Sequence, residues 1–197
     1  MAGRWFANII IGIGIGLATT ACQTYSLRTG DLLFHVTERA NRITDVTPVM
    51  IDHVAIVLSK DSVIEAVPRR GVTVTALEML RRDTDGYYLI GRVRGMDARL
   101  SIANARLYLG RQYDDVYLPD NEAIYCSELV ERSVTDAQGR WLIKAVPMSF
   151  HDATGRVTDY WTRFYQERGM AVPEGQPGTN PAELSQRKII KIIGKLR

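Results

Sequence analysis

Ile51-Asp52-His53-Val54-Ala55-Ile56-Val57-Leu58, the polar Ser59-Lys60-Asp61, and then Ser62-Val63-Ile64-Glu65-Ala66-Val67 form the stretch whose reading decides the fold. Two β-branched, apolar runs separated by a short polar turn predict a β-hairpin. A turn centred near Lys60 sets His53 and Glu65, 12 positions apart, about one pair out of register. Both side chains then share one side of the ribbon, within cross-strand reach.

Working outward, the first half of the chain reads as further strands. Asp31 to Val36 is an apolar run after the turn Arg28-Thr29-Gly30. Gly71 to Thr75 alternates, and Tyr87 to Val93 is rich in aromatic and branched residues. Leu77 to Arg82 suits one or two helical turns. Thr37 to Val46 suits a short helix or a covering loop. The second half reads as helical. Ser101 is the expected N-cap of a helix running to Leu109 and stopped at Gly110. Thr158 is the expected N-cap of a helix that turns Trp161, Phe164 and Tyr165 inward and ends at Gly169. After the Pro173 to Pro181 loop, Asn180-Pro181-Ala182-Glu183 has the form of an N-cap, an N1 proline and a capping-box glutamate. The tail from Lys188 to Arg197 interleaves isoleucines with lysines. It is expected to be an amphipathic terminal element packed on the domain, with an anionic membrane surface as the alternative.

Between the expected helices ending at Gly110 and starting at Thr158 lies Ile124-Tyr125-Cys126-Ser127-Glu128-Leu129-Val130. Leu129, Val130 and Val134 form an apolar stripe, and Glu128 and Glu131 fall in the first turns, so Cys126 opens a helix. A thiol there meets the positive end of the helix dipole, which stabilises thiolate. The plain alternative is a small buried hydrophobe, because free cysteine is among the most buried residue types.

The chain has 197 residues, two cysteines and a net charge of +3. That charge gives no argument for nucleic-acid binding. Cys22, the other cysteine, ends an N-terminal segment with a basic start, a short apolar run from Ile9 to Leu17, and small residues up to Ala21. The run is shorter than the ~20 residues a spanning helix needs. It resembles a bacterial lipoprotein signal, whose cleavage leaves an acylated Cys22 as a membrane anchor. Gln23 after the cysteine resembles the outer-membrane sorting pattern. The expected place is therefore the cell envelope, anchored by lipid and facing the periplasm. Residues 1–22 are the expected signal segment, 27–186 one domain and 187–197 a basic tail. With Cys22 used for attachment, Cys126 has no disulfide partner.

His53, Glu65 and Cys126 suit one another chemically. A free thiol has a pKa near 8.5, and a neighbouring imidazole and helix end lower it to about 3.5–7.5. His53 would take the thiol proton and pass it to a leaving group. Glu65 would orient His53 and stabilise its imidazolium form. The Cys126 backbone N–H would serve as an oxyanion donor. The competing readings are a satisfied structural His53 and a solvated Glu65. His35, at a strand end, and His151, in a loop, are the other two histidines of the chain. No His or Cys pair has metal-ligand spacing.

Taken together, Thr29-Gly30-Asp31-Leu32-Leu33-Phe34, Asp52-His53-Val54-Ala55-Ile56-Val57 and Ile64-Glu65-Ala66 resemble the NlpC-type papain-like cysteine hydrolases. In that family the cysteine helix precedes the strands. Here Tyr125-Cys126-Ser127-Glu128-Leu129-Val130 follows them, an order similar to the circularly permuted, YiiX-like branch. Gly110-Arg111-Gln112-Tyr113-Asp114 and Pro173 to Pro181 also fit that branch. Ala55 stands where the family usually has glycine. The resemblance implies an α+β, permuted papain-like fold, an antiparallel sheet packed against helices with the cysteine helix after the strands. It also implies a Cys126–His53–Glu65 triad and no cofactor. The insert Thr37 to Ile51 is long for the family core and is expected to line or cover the cleft.

The expected activity is hydrolysis of an amide through a thiol acyl-enzyme. The expected partners are a small-molecule or peptidoglycan-derived substrate and the membrane, through the N-terminal lipid. Acyl transfer on the same triad and a non-catalytic binding protein are the alternatives.

Overall fold

The structure, a computed structural model, describes residues 26–83, 85–119 and 121–196. Cys22 and the signal segment lie outside the described residues. The strands of the first half are β1 (Leu32–Thr37), β2 (Ile51–Ser59), β3 (Ser62–Val67) and β4 (Gly71–Ala76). The short helix α1 (Leu77–Arg81) leads to β5 (Gly86–Val93). Helices α2 (Ala98–Arg106) and α3 (Cys126–Glu131) follow, then the two-residue strand β6 (Val146–Pro147), α4 (Asp159–Gln166), the equally short β7 (Pro177–Gly178), α5 (Pro181–Ser185) and β8 (Ile190–Lys195).

One antiparallel sheet runs in the order β4-β3-β2-β1-β5-β8. Strand alternation divides its apolar residues between two faces. Leu32, Phe34, Val54, Ile56 and Ile64 pack with Leu129 and Val130 of α3 and Leu184 of α5. Leu33, Ala55, Val57 and Val63 pack with Leu77 and Leu80 of α1. Burying each large side chain contributes about 1.5–3 kcal/mol, so α3 is held by tertiary packing rather than by its own six residues. A third cluster gathers Met148, Phe150, Trp161 and Tyr165 around α4.

The helix reading needs two corrections. Asp97 caps α2, its carboxylate accepting the Leu100 N–H at 2.9 Å. Ser101, the expected cap, sits inside the helix and is fully buried. Its hydroxyl bonds the backbone of Thr135, accepting at 3.0 Å and donating at 3.3 Å. An aspartate four residues earlier competes for the same role, and the serine is taken by tertiary structure. Residues 190–195 pack on the domain, and they do so as a strand, pairing with β5 from Val93↔Ile190 to Leu89↔Lys195. Alternating Ile and Lys suit a sheet edge as well as a helix face, and the open side of β5 supplied the partner. Thr158 and Asn180 do cap α4 and α5. Glu183, however, turns its carboxylate to Arg187 at 2.6 and 2.7 Å.

The start of β4 is tied to the loop that approaches the thiol. Gly71 has φ +65°, and a Cβ there would collide with the Arg111 carbonyl. That close approach allows Val72 N–H to donate to Arg111 O and Gly110 N–H to Val72 O, both at 2.9 Å.

Candidate active site

The site assembles where the hairpin, the start of α3 and the 110–118 loop converge. In the hairpin, Ile56 pairs with Ile64 and Val57 with Val63. Continuing that register by one step sets Ala55 opposite Glu65, and His53 one same-face step beyond. Side chains bridge the diagonal: His53 Nε2 lies 2.7 Å from Glu65 Oε2. The other ring nitrogen is left for Cys126, whose interaction with the imidazole helps to raise the His53 pKa. The structure therefore brings Cys126, His53 and Glu65 together in that order.

The cysteine helix does not pack on the face that carries His53 and Glu65. The apolar stripe of α3 packs against Val54, Ile56 and Ile64, which alternate with those two residues. Contact with His53 is made by the residue that opens the helix. It occurs near the start of β2, where pairing with β1 slips from His35↔His53 to Val36↔Ile51. A bulge of this kind re-aims side chains beside active sites.

Glu65 is 3% exposed, and both carboxylate oxygens are engaged. Oε2 faces His53, and Oε1 accepts from the Thr75 hydroxyl at 2.5 Å. Arg70 stands 3.6 Å away. Burial alone would raise the Glu65 pKa, but the His53 bond and charge, Thr75 and Arg70 hold it below the usual carboxylate range. For His53, burial opposes the charged form, and the bonds to and charges of Cys126 and Glu65 outweigh it, raising the imidazole to about 10. An imidazolium beside the thiol is the arrangement that stabilises thiolate.

Cys126 is 4% exposed and heads α3, where the first N–H groups have no partner within the helix. Glu128 accepts the Tyr125 N–H at 3.3 Å and pairs with Arg132 at 2.6 Å. Burial still pushes Glu128 up to about 7, against the pull of Arg132.

Sequence reasoning passed over three participants. Thr75 lies on the strand beside Glu65, and only the β3–β4 register identifies it. Tyr113 and Tyr117 both line the cleft that holds Cys126, and burial raises both, Tyr117 to about 12. Tyr117 holds a left-handed backbone, φ 53°. The cause is Asp114, 1% exposed, whose carboxylate accepts the N–H groups of Val116, Tyr117 and Leu118 at 2.9–3.0 Å. The run Tyr-Asp in a polar loop was the available signal, since aspartate commonly accepts from backbone a few residues on.

The other two histidines are engaged elsewhere. His35 Nδ1 is 2.6 Å from Asp52, which also accepts from Asn41 at 2.6 Å. His151 Nδ1 lies 3.1 Å from both Ser149 and Glu174. The insert lines the site: Ile43, Val46 and Thr47 border the cleft that holds Cys126.

A crystal structure of a protein described as metalloprotein yiiX, from Escherichia coli O157:H7, is similar in fold. It has a TM-score of 0.71 and 22% identity, covering 87% of this chain and 99% of that one. Among the described residues here, no group of three or more His, Cys, Asp or Glu side chains converges in a metal-binding arrangement. The residues present thus do not fit a multidentate metal site, and no step below is routed through one. No curated protein matches this sequence. The family model that does match, over residues 26–193, is that of the permuted papain-like amidases, and the chain belongs to that family, YaeF/YiiX, C92.

Proposed function

We propose that the protein is a cell-envelope cysteine hydrolase that cleaves an amide through a thiol acyl-enzyme. Cys126 is the nucleophile, His53 the acid and base, and Glu65 the residue that orients His53 and supports its charge. The single observation that carries the reading is the continuous chain from Cys126 through His53 to Glu65, closed by Thr75.

In the forward step the Cys126 thiolate attacks the amide carbonyl carbon, forming the C–S bond and an oxyanion. The Cys126 N–H at the helix start is placed to receive that charge. As the C–N bond breaks, the His53 proton passes to the amine nitrogen. His53 then takes a proton from the water that attacks the thioester. The C–S bond breaks, the acid leaves, and the thiolate–imidazolium pair is restored. Glu65 stays ionised throughout, consistent with its lowered pKa.

The envelope location rests on the lipoprotein-like segment ending at Cys22. Peptidoglycan stem peptides, other peptides and N-acylated amines are the substrate classes this compartment offers. The relationship to NlpC-type enzymes is part of the same proposal and rests on the motifs around Asp31, His53 and Cys126.

The test uses protein lacking residues 1–22, in which Cys126 is the one thiol. Alkylation rate is measured against pH for this protein and for His53→Ala. Rapid alkylation well below the ordinary thiol range, lost in His53→Ala, supports the reading. A thiol indifferent to His53 overturns it. Product analysis with and without an added amine or alcohol separates hydrolysis from acyl transfer.

A further inference from the structure

The chain has five lysines, and three of them, Lys188, Lys191 and Lys195, fall within its last ten residues. Lys191 and Lys195 lie on β8, the outermost strand of the sheet, and Lys188 just precedes it. All three are exposed. So is Arg94, whose backbone N–H donates to Ile189 O at 2.8 Å. Among the described residues, none of these four cations is paired with a carboxylate. A lysine on an edge strand discourages pairing with another chain. That role leaves Lys188 and Arg94 unexplained, because both lie outside the ladder of β5 and β8.

The N-terminal lead is fixed at the same edge. Ser26 O accepts from the Arg92 guanidinium at 3.4 Å, and Arg92 is the β5 partner of Lys191. Leu27 packs on the apolar cluster that Ile193 and Leu196 also cover. Cys22 precedes Ser26 by four positions, a reach of at most about 14 Å. An acyl anchor at Cys22 therefore sets the bilayer surface within that reach of Ser26. Resting on the lipid anchor assumed in the envelope location above, we propose that the β8 edge, with Lys188, Lys191, Lys195 and Arg94, is a docking surface for an anionic phospholipid membrane.

Attraction of cations to anionic headgroups falls off within a Debye length, so it acts only on a surface already held close. The anchor supplies that closeness, and the cations fix which side of the domain turns to the membrane. Lysine stems lie along apolar surface while their ammonium groups reach the phosphates. Ile192, 37% exposed beside Lys191, adds an apolar contact at the headgroup boundary. The strand that carries His53, β2, is three strands in from β8. At the usual strand spacing that is about 14 Å, so a protein docked by this edge holds its catalytic chain clear of the headgroups.

The experiment uses the full chain, processed and purified from membranes, on two kinds of vesicle: phosphatidylcholine alone, and phosphatidylcholine with about one-third phosphatidylglycerol. Hydrogen exchange is followed over residues 188–196. Exchange there should be slower on the anionic vesicles by about fivefold or more, with no change at the β2–β3 turn. The slowing should vanish in about 1 M salt, where the Debye length is roughly 3 Å. It should also vanish in the triple variant Lys188→Glu, Lys191→Glu, Lys195→Glu, whose Tm is measured alongside. Equal exchange on the two kinds of vesicle overturns the proposal and leaves the lysines as guards of the sheet edge. The anchor is read separately, by flotation. Retention on anionic vesicles alone, lost in the triple variant, overturns the lipid anchor and supports the docking surface. Retention on neither overturns both.

Discussion

The β2–β3 hairpin and the 110–118 loop reach the same thiol from different directions, and they are held in different ways. The hairpin is regular: its register sets His53 and Glu65 on one face, and a ladder of backbone bonds keeps them there. The loop has no ladder. One buried carboxylate, Asp114, gathers three backbone N–H groups and forces Tyr117 into a left-handed backbone. Residues held in sparsely populated backbone regions persist only where the surroundings over-determine them. The groups proposed to handle the proton thus sit on the ladder-paired element, and Tyr113 and Tyr117, which line the cleft, sit on the element that side chains have to hold.

The sharpest way to break this division is at the thiol itself. Cys126→Ala should lower turnover by roughly 10⁴-fold or more, as loss of a nucleophile does, with Tm measured alongside to show that the fold survives. Residual activity near the unmodified level would show that Cys126 is not the nucleophile.

Next is the orienting carboxylate. Glu65→Gln should reduce kcat on the order of 10²-fold, a typical share for positioned acid–base catalysis. The pH profile gives the sign. His53 is raised to about 10, so its imidazolium is present below that pH and lost above it, and the alkaline limb of kcat/KM should fall near there. Glu65 is one of the causes of that raised value, so Glu65→Gln should move the limb to lower pH. A limb that stays put would show that Glu65 does not act on His53.

The loop is tested by Asp114→Asn, which removes charge from a carboxylate that accepts three N–H groups. The expected cost is about 1–3 kcal/mol of stability, read by thermal unfolding. An unchanged Tm would mean that Asp114 does not hold the loop.

The smallest effect concerns Glu128. Burial raises it to about 7, above its ordinary value, so the folded state prefers the protonated acid. Its contribution to stability is fully present below about pH 4.5 and is lost as pH rises through about 7. Glu128→Gln carries no such charge. The Tm difference, variant minus unmodified, should therefore increase from pH 5 to pH 8. A difference independent of pH would assign Glu128 to its Arg132 pair instead.

What the sequence by itself determined is local or periodic. Branched residues alternating around Ser59-Lys60-Asp61 specified the hairpin, and an even count of residues from His53 to Glu65 specified their common face. The position of Cys126 ahead of an apolar stripe specified its place at a helix start, and Thr158 and Asn180 marked two further helix starts. The order of these motifs along the chain carried the permuted, antiparallel α+β fold. The hairpin, the common face and the helix starts need only neighbours a few residues away, where backbone geometry and side-chain period act directly, whereas the permuted fold was implied by the resemblance of the ordered motifs to a family.

Tertiary structure decided what depends on distant partners. Whether Ser101 or Asp97 capped α2 was settled by Thr135, 34 residues on from Ser101. Whether the tail became a helix or a strand was settled by the open edge of β5. That Thr75 closes the chain behind Glu65, and that Asp114 bends the backbone at Tyr117, follow from burial that no local pattern encodes. The aromatic cleft belongs to this group: Ile43, Tyr117, Phe150 and Trp161 are scattered across the sequence and share a wall only because α4 and the insert pack over the start of α3. Local chemistry selects elements, whereas the volume and polarity of a cleft are properties of surfaces that meet only after those elements have packed.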